Sequence, residues 1–302
     1  MTRRHALLLT GTTLAAQQLT PVDELVNTLE IEAMAQRKLA PAVFAEISGS
    51  DRSAFDRITL RPRLMVNTLG LDLTADLFGQ RLFAPILIGP TAQQGRFHAG
   101  AEKALLEGAE AAKTAVVVSA NPSVPIDQPV WLQIDPAKPS IPASAKVLLL
   151  TAPFDWAAFD RLRKSTKLPL LIKGIMSATD AQLAHQRGAD GIVVSNYRNP
   201  AIPGLAQPIE VLPAIASEIN KKIPILIDGS FRRGSDILKA LALGARAVLV
   251  GRPPLWGLAA YGAKGVQQVM EQLQIELARD MAMCGKVTLR QIAPDLVKIH
   301  RR

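Results

Sequence analysis

The sequence predicts an α/β fold, a (β/α)8 TIM barrel preceded by a short helical preamble. Three observations predict it. Short apolar runs rich in β-branched residues recur between Pro85 and Val250, each ending at a polar or glycine turn. Segments with apolar residues at helical spacing separate most of these runs. The stretch Ile223–Pro253, IPILIDGSFRRGSDILKALALGARAVLVGRP, reads as strand, glycine turn, helix, strand, glycine turn. Two buried-type strands joined by one short helix make a right-handed βαβ unit of a parallel sheet.

In chain order, residues 1–18 come first. They carry Arg3-Arg4, a mildly apolar run, and small residues around Thr13-Leu14-Ala15. The run is too short for a stable bilayer span. It reads as an export signal of the twin-arginine type, which would make the mature protein periplasmic or otherwise exported. The alternative is an ordinary basic N-terminus on a cytoplasmic protein.

Residues 19–83 read as the preamble. Thr20 is the expected N-cap, with Pro21 in the first turn, of a helix running to about Leu39. A second short helix is expected over Pro41–Ile47, and a turn at Ser48–Asp51. Arg61–Leu64 and Leu71–Leu77 read as extended segments closing the bottom of the barrel.

Residues 84–302 read as the barrel. Its strands are expected at Pro85–Ile88, Ala115–Val118, Val130–Ile134, Lys146–Leu150, Leu168–Ile172, Gly191–Val194, Ile223–Ile227 and Ala247–Val250. Helices are expected at Ala99–Ala112, Trp156–Lys164, Thr179–Arg187, Pro208–Ile219 and Ser235–Leu243. The crossover PAKPSIPASA is too proline-rich for a helix. Leu255–Met283 supplies the last helices, packed outside.

Composition narrows the functional classes. The 302 residues are 48% hydrophobic and 20% charged, ample for one large core, and 4% aromatic, so that core is aliphatic. The net charge of +9 is spread along the chain, without a basic block interleaved with aromatics. That pattern argues against nucleic-acid binding and suits an anionic small ligand. The single Cys284 excludes an internal disulfide and a multi-cysteine metal site, and reads as a buried, inert thiol. No metal site is expected.

The chemistry is concentrated in the turns that follow the strands. Asp228-Gly229-Ser230 with Arg232, and Gly251-Arg252, each offer glycine-freed N–H groups and one arginine. Two such turns side by side form a phosphate site after the last two strands of a barrel. The competing reading is a pair of ordinary turns with solvated arginines. Lys173 ends an apolar strand, where an ammonium needs a polar pocket.

The segments GPTAQQGRFHAGAE, WLQ, LPLLIKGI, GIVVSN, IDGSFRRGSDILKALALGARAVLVGRP and ELARDMAMCG together resemble the FMN-dependent α-hydroxy acid oxidases and dehydrogenases, the glycolate oxidase and flavocytochrome lactate dehydrogenase group. The resemblance covers roughly Leu39 to Ile292 and implies a (β/α)8 barrel with FMN at its C-terminal face. It implies that Pro90, Thr91 and Ala92 lie along the isoalloxazine ring. Ser119, Gln133 and Thr151 would hydrogen-bond the ring, and Lys173 would face its N1/C2 carbonyl edge. Asp228, Gly229, Ser230 and Arg232 match the ribityl and phosphate turn, with Ser230 in place of a family glycine, and Gly251 and Arg252 match the second phosphate turn.

The substrate side departs from that family. Its Ser-Asn-His-Gly-Gly-Arg run is Ser195-Asn196-Tyr197-Arg198-Asn199-Pro200 here. Tyr197 stands at the position of the proton-abstracting histidine, and a non-basic residue near Pro200 stands at that of the carboxylate-clamping arginine. The family's two substrate tyrosines fall on Asp135 and near Glu46, and the long loop after strand four is missing. A neutral tyrosine, with a pKa of about 10, is a poor base unless strongly perturbed. Carboxylates at Asp135 and Glu46, if they lined the pocket, would repel a hydroxy acid.

The expected function is therefore an FMN-dependent oxidoreductase with an altered substrate. Tyr197 would be its proton donor or orienter, Asp135 a candidate base, and Lys173 the charge at the flavin. The alternative is an FMN-binding protein without hydroxy acid turnover. Expected partners are a small-molecule substrate and an electron acceptor of unknown identity. The family's tetramers imply a possible homo-oligomer.

Overall fold

The computed structural model describes residues 19–49, 51–135, 139–151, 154–197 and 204–300. The expected export signal and the run Arg198–Pro200 lie outside the described residues.

Eight strands form one parallel ring: β1 Ile86–Ile88, β2 Val117–Val118, β3 Val130–Ile134, β4 Ala145–Thr151, β5 Leu170–Ile175, β6 Gly191–Val194, β7 Ile225–Ile227 and β8 Ala247–Val250. Neighbours in the chain are neighbours in the sheet, and β8 pairs back onto β1. The ring closes where Ile88 N donates to Ala115 O at 3.0 Å and Ile88 bridges Val116. This is the expected (β/α)8 barrel. Every residue of β1, β6, β7 and β8 is buried, as strands covered on both faces require. Leu87, Val147, Leu149, Leu171, Val193 and Leu249 fill the interior, while Ile86 and Ile88 pack outward under the helices.

A hairpin plugs the bottom of the barrel. Ala75–Leu77 pairs antiparallel with Gln80–Leu82 through a two-residue turn, Phe78 (φ 50°) and Gly79 (φ 74°). Two positive φ values in succession are the signature of a turn whose twist matches the strands it joins. Leu77 and Leu82 join the interior core, and Phe78 meets Trp131 edge-on at 5.5 Å. Trp131 Nε1 donates to Gln80 Oε1 at 3.2 Å, satisfying a buried donor. The hairpin thus covers one end of the barrel interior.

Two expectations for the preamble need correction. Thr20 does not cap a helix: Val22–Glu24 is a single 3-10 turn without a side-chain cap. Leu25 then leaves in extended conformation to bury its side chain. The helix begins at Thr28 and runs to Lys38, capped by Asn27, whose side chain accepts from Leu29 N and Glu30 N. The strand expected at Arg61–Leu64 falls earlier, at Ile58–Leu60, where it finds a partner in Val297–Ile299.

No helix occupies residues 139–144, between β3 and β4, in keeping with the prolines. The closing helices are Arg252–Tyr261 and Ala263–Met283. They touch backbone to backbone: a Cβ on Gly257 would stand 2.3 Å from Gly265 O. Cys284 is buried, as expected. No described helix is long and apolar enough to cross a membrane.

Candidate cofactor and active site

The turn after β7 takes a backbone path that few residues tolerate. Gly229 has φ 106°, and Ser230 follows at φ 63°, in the left-handed region. The resemblance expects a glycine at the position of Ser230, and the local φ explains that preference. The turn leads into the helix Gly234–Ala242. Asp236 caps this helix start, accepting from Arg232 N (2.9 Å) and Arg233 N (3.0 Å), and pairs with Arg52 at 3.0 Å. Burial pushes the Asp236 carboxyl up, and Arg52 opposes that shift.

The capped turn holds a buried arginine. Arg232 is 3% exposed, and its guanidinium lies 4.6 Å over the Trp256 ring. Its Nη1 donates to Phe231 O at 2.8 Å. Burial, and then the Arg252 charge, push its pKa down to about 10. Arg252 opens the helix after Gly251, and burial lowers its pKa as well. Its Nη1 donates to Gly49 O. Glu32, on the helix Thr28–Lys38, faces the same cluster: burial raises its carboxyl, and Arg232, Arg252 and Arg52 pull it back. Two guanidinium groups held together, one buried and one half-buried, each pressed toward its neutral form, fit a bound dianion such as a phosphate ester.

Lys173 ends the other half of the site. It is 3% exposed at the end of β5, just before a bulge at Gly174 (φ 105°). Its Nζ donates to Ser195 Oγ at 2.6 Å and ion-pairs with Asp228, and it lies 5.1 Å from the Tyr197 ring centroid. Ser195 Oγ also accepts from Tyr197 N at 3.2 Å. One hydroxyl therefore ties β5 to the residue at the expected base position.

A cavity of about 550 Å³ joins the two halves. Pro90, Thr91 and Ala92 line it after β1, and Lys173 and Tyr197 after β5 and β6. Asp228 to Arg232 line it after β7, and Gly251 and Arg252 after β8. Its size and its place at the C-terminal strand ends suit a cofactor with its substrate.

Ser119, Gln133 and Thr151 end β2, β3 and β4 on the same rim but do not line this cavity. Gln133 Nε2 donates to Thr151 Oγ1 at 2.7 Å. The Ser119 hydroxyl is buried and meets no hydrogen-bond partner among the described residues, a polar atom suited to a ring heteroatom. Asp135 follows β3 on the exposed surface and is not brought to the cavity. Glu46 does line the mouth, but Arg96 answers its charge in a two-pronged ion pair. Its repulsion of a carboxylate is correspondingly reduced.

Sequence reasoning missed Glu32, Arg96, Asp236 and Trp256. Only Asp236 left a local signal, as an acidic residue in the first turn of a helix.

Comparison with known proteins agrees with this geometry. A family described as FMN-dependent dehydrogenase matches residues 46–140 and 127–299. An L-lactate oxidase of Nostoc sp. is 31% identical, over 91% of this chain and 98% of its own length. A peroxisomal (S)-2-hydroxyacid oxidase of Arabidopsis thaliana is 29% identical, over 92% of this chain and 97% of its own. That alignment spans 353 positions, more than the 302 residues here, so the relative carries segments this chain lacks. The crystal structure of a mandelate oxidase with (S)-2-phenylpropionate superposes with a TM-score of 0.83 at 27% identity, covering 92% of this chain and all of its own.

Proposed function

We propose a function from one premise: the chain belongs to the FMN-dependent dehydrogenase family, whose cofactor is FMN. The reading is a flavoenzyme that oxidises a small CH–OH donor but is not fitted to the ordinary 2-hydroxy acids named in its relatives. Bound FMN supplies the two-electron acceptor for such an oxidation.

The observation that carries the reading is Lys173. A buried ammonium at the cavity, held by Ser195 and Asp228, provides the positive charge that favours reduced flavin. Arg232 and Arg252 bind the phosphate, with Gly229 and Gly251 letting the backbone approach. Among the described residues, the cations lining the cavity are these three. Each then has an assignment other than clamping a substrate carboxylate. Tyr197, half exposed at the mouth, supplies a phenol that orients the substrate hydroxyl as donor, where an imidazole would take its proton. Asp135, exposed after β3 and outside the cavity lining, is not given the role of base in this reading.

The test is the colour and reduction of the FMN-loaded protein. Absorbance at roughly 450 nm is expected, bleached anaerobically by some member of a panel of neutral alcohols, sugars, amino alcohols and hydroxy acids. Absence of bound flavin refutes the cofactor assignment. Rapid bleaching by glycolate or lactate refutes the altered substrate. A flavin bleached by dithionite and by no donor refutes turnover and leaves a binding protein.

A further inference from the structure

We propose that Trp256, held by the N-terminal arm, is the positioning residue of the phosphate subsite: it orients the Arg232 guanidinium and so ties docking of the arm to affinity for a phosphate-bearing flavin. This rests on the reading of Arg232 and Arg252 as the FMN phosphate site.

An arginine presents its donors as a rigid fork on a long flexible stem, so a phosphate site needs something to fix the plane of that fork. Trp256 does this. It is fully buried, and its ring lies 4.6 Å from the Arg232 guanidinium. The ring is in turn fixed at its other edge. Its only donor, Nε1, bonds Ile47 O at 2.9 Å in a buried contact across 209 residues. Ile47 is the last residue of the helix Pro41–Ile47. Its carbonyl is therefore one that the helix leaves unsatisfied, and the bond completes both partners.

Two further arm contacts end on the same two arginines. Thr28 Oγ1 donates to Arg232 O at 2.6 Å, buried, from the first turn of the helix Thr28–Lys38. Arg252 Nη1 donates to Gly49 O. Glu32 lies one helical turn beyond Thr28 on the same face, beside the arginine cluster. The arm thus holds the Arg232 backbone, the Arg232 side chain through Trp256, and the Arg252 side chain. None of these three bonds touches Lys173, Ser195 or Asp228, the groups at the other end of the cavity. Loss of one of these bonds is therefore felt at the phosphate, although Glu46 to Gly49 of the arm also line the cavity.

That separation defines the experiment. Dissociation constants for FMN and for riboflavin, which lacks the phosphate, are measured by flavin fluorescence for the parent, Trp256→Leu, Trp256→Phe and Thr28→Val. Trp256→Leu is expected to lower the preference for FMN over riboflavin about tenfold, the loss of a desolvated cation–π contact. Trp256→Phe keeps a ring but loses the bond to Ile47, and Thr28→Val loses one buried hydroxyl. Each is expected to lower the preference about threefold, with riboflavin affinity unchanged. If Trp256→Leu fails to fold, Thr28→Val takes its place, and the parent alone gives a second reading: FMN, and not riboflavin, should slow proteolysis within residues 19–56. An equal loss for both flavins, an unchanged preference, or equal protection by both overturns the proposal. Those outcomes leave the cofactor assignment standing, whereas a parent that binds neither flavin overturns both.

Discussion

Replacement of Arg232 by methionine is expected to leave the flavin-free protein about as stable as the parent while abolishing tight FMN binding. Arg232 is 3% exposed, and its pKa is pushed well below the usual guanidinium range, to about 10. At about 1.4 kcal/mol for each tenfold change in proton affinity, holding the charge costs the folded state about 3 kcal/mol. The folded pKa lies below the unfolded one. The cost is therefore full at neutral pH and is relieved only as pH rises through and above about 10. Methionine keeps the apolar stem but gives up the contact with Trp256 (about 1 kcal/mol) and the bond to Phe231 O (about 1 kcal/mol). Arg232 has further interactions besides these two, so the losses offset the charge cost and the balance is near zero. Urea unfolding of both flavin-free proteins in a buffer without phosphate or sulfate measures it. Adding inorganic phosphate should then stabilise the parent and not the variant. A loss above about 2 kcal/mol in the variant would show that Arg232 is a structural residue whose burial is already compensated, and the reasoning would fail.

Three other changes test different parts of the molecule. Lys173→Met should lower the midpoint potential of bound flavin by about 30–60 mV, the equivalent of one to two lost charge contacts, by spectroelectrochemistry; an unchanged midpoint would separate Lys173 from the flavin. Gly257→Ala drives a methyl against Gly265 O and should cost about 3 kcal/mol or more in thermal unfolding, while a variant of parental stability would mean the two helices can slide apart. Tyr197→His should give little oxidation of glycolate or lactate in an oxygen-uptake assay, because the described cavity cations are already engaged; a large recovery would show the pocket to be a hydroxy acid site after all.

The barrel was legible because its strands are buried on both faces. Runs such as Ile192-Val193-Val194 and Ala247–Val250 are apolar at every position, and each stops at a turn that the sequence marks with Gly, Ser or Asp. The cofactor turns were legible for the same reason, since glycine and arginine stand together immediately after a strand. What escaped was set by partners far away in the chain. Ile58–Leu60 is a strand only because Val297–Ile299 lies beside it. Of the hairpin Ala75–Leu82 only the first strand lies in the expected extended segment Leu71–Leu77; the second escapes because Phe78 stands in the turn, at a position where Asn or Gly is usual. Asn27 outcompetes Thr20 as a cap because Leu25 has a core to reach. Glu46 gave no hint of Arg96, nor Trp256 of Arg232, since neither pair has a period or a spacing that a sequence displays.

The bonds from the arm to the phosphate turns also bear on how the molecule is assembled. Thr28 waits for Arg232, Gly49 for Arg252, and Ile47 for Trp256, separations of 204, 203 and 209 residues. During synthesis the arm is made long before β7, β8 and the helix after β8, and these three bonds must wait for them. The anion site is accordingly among the last features to form, and its completion and the fastening of the two ends of the chain are the same event. Contacts of such long range slow folding, because the loop must close before any of them contributes. On the proposed placement of the FMN phosphate, the cofactor binds the finished barrel and can scarcely template an unfinished one.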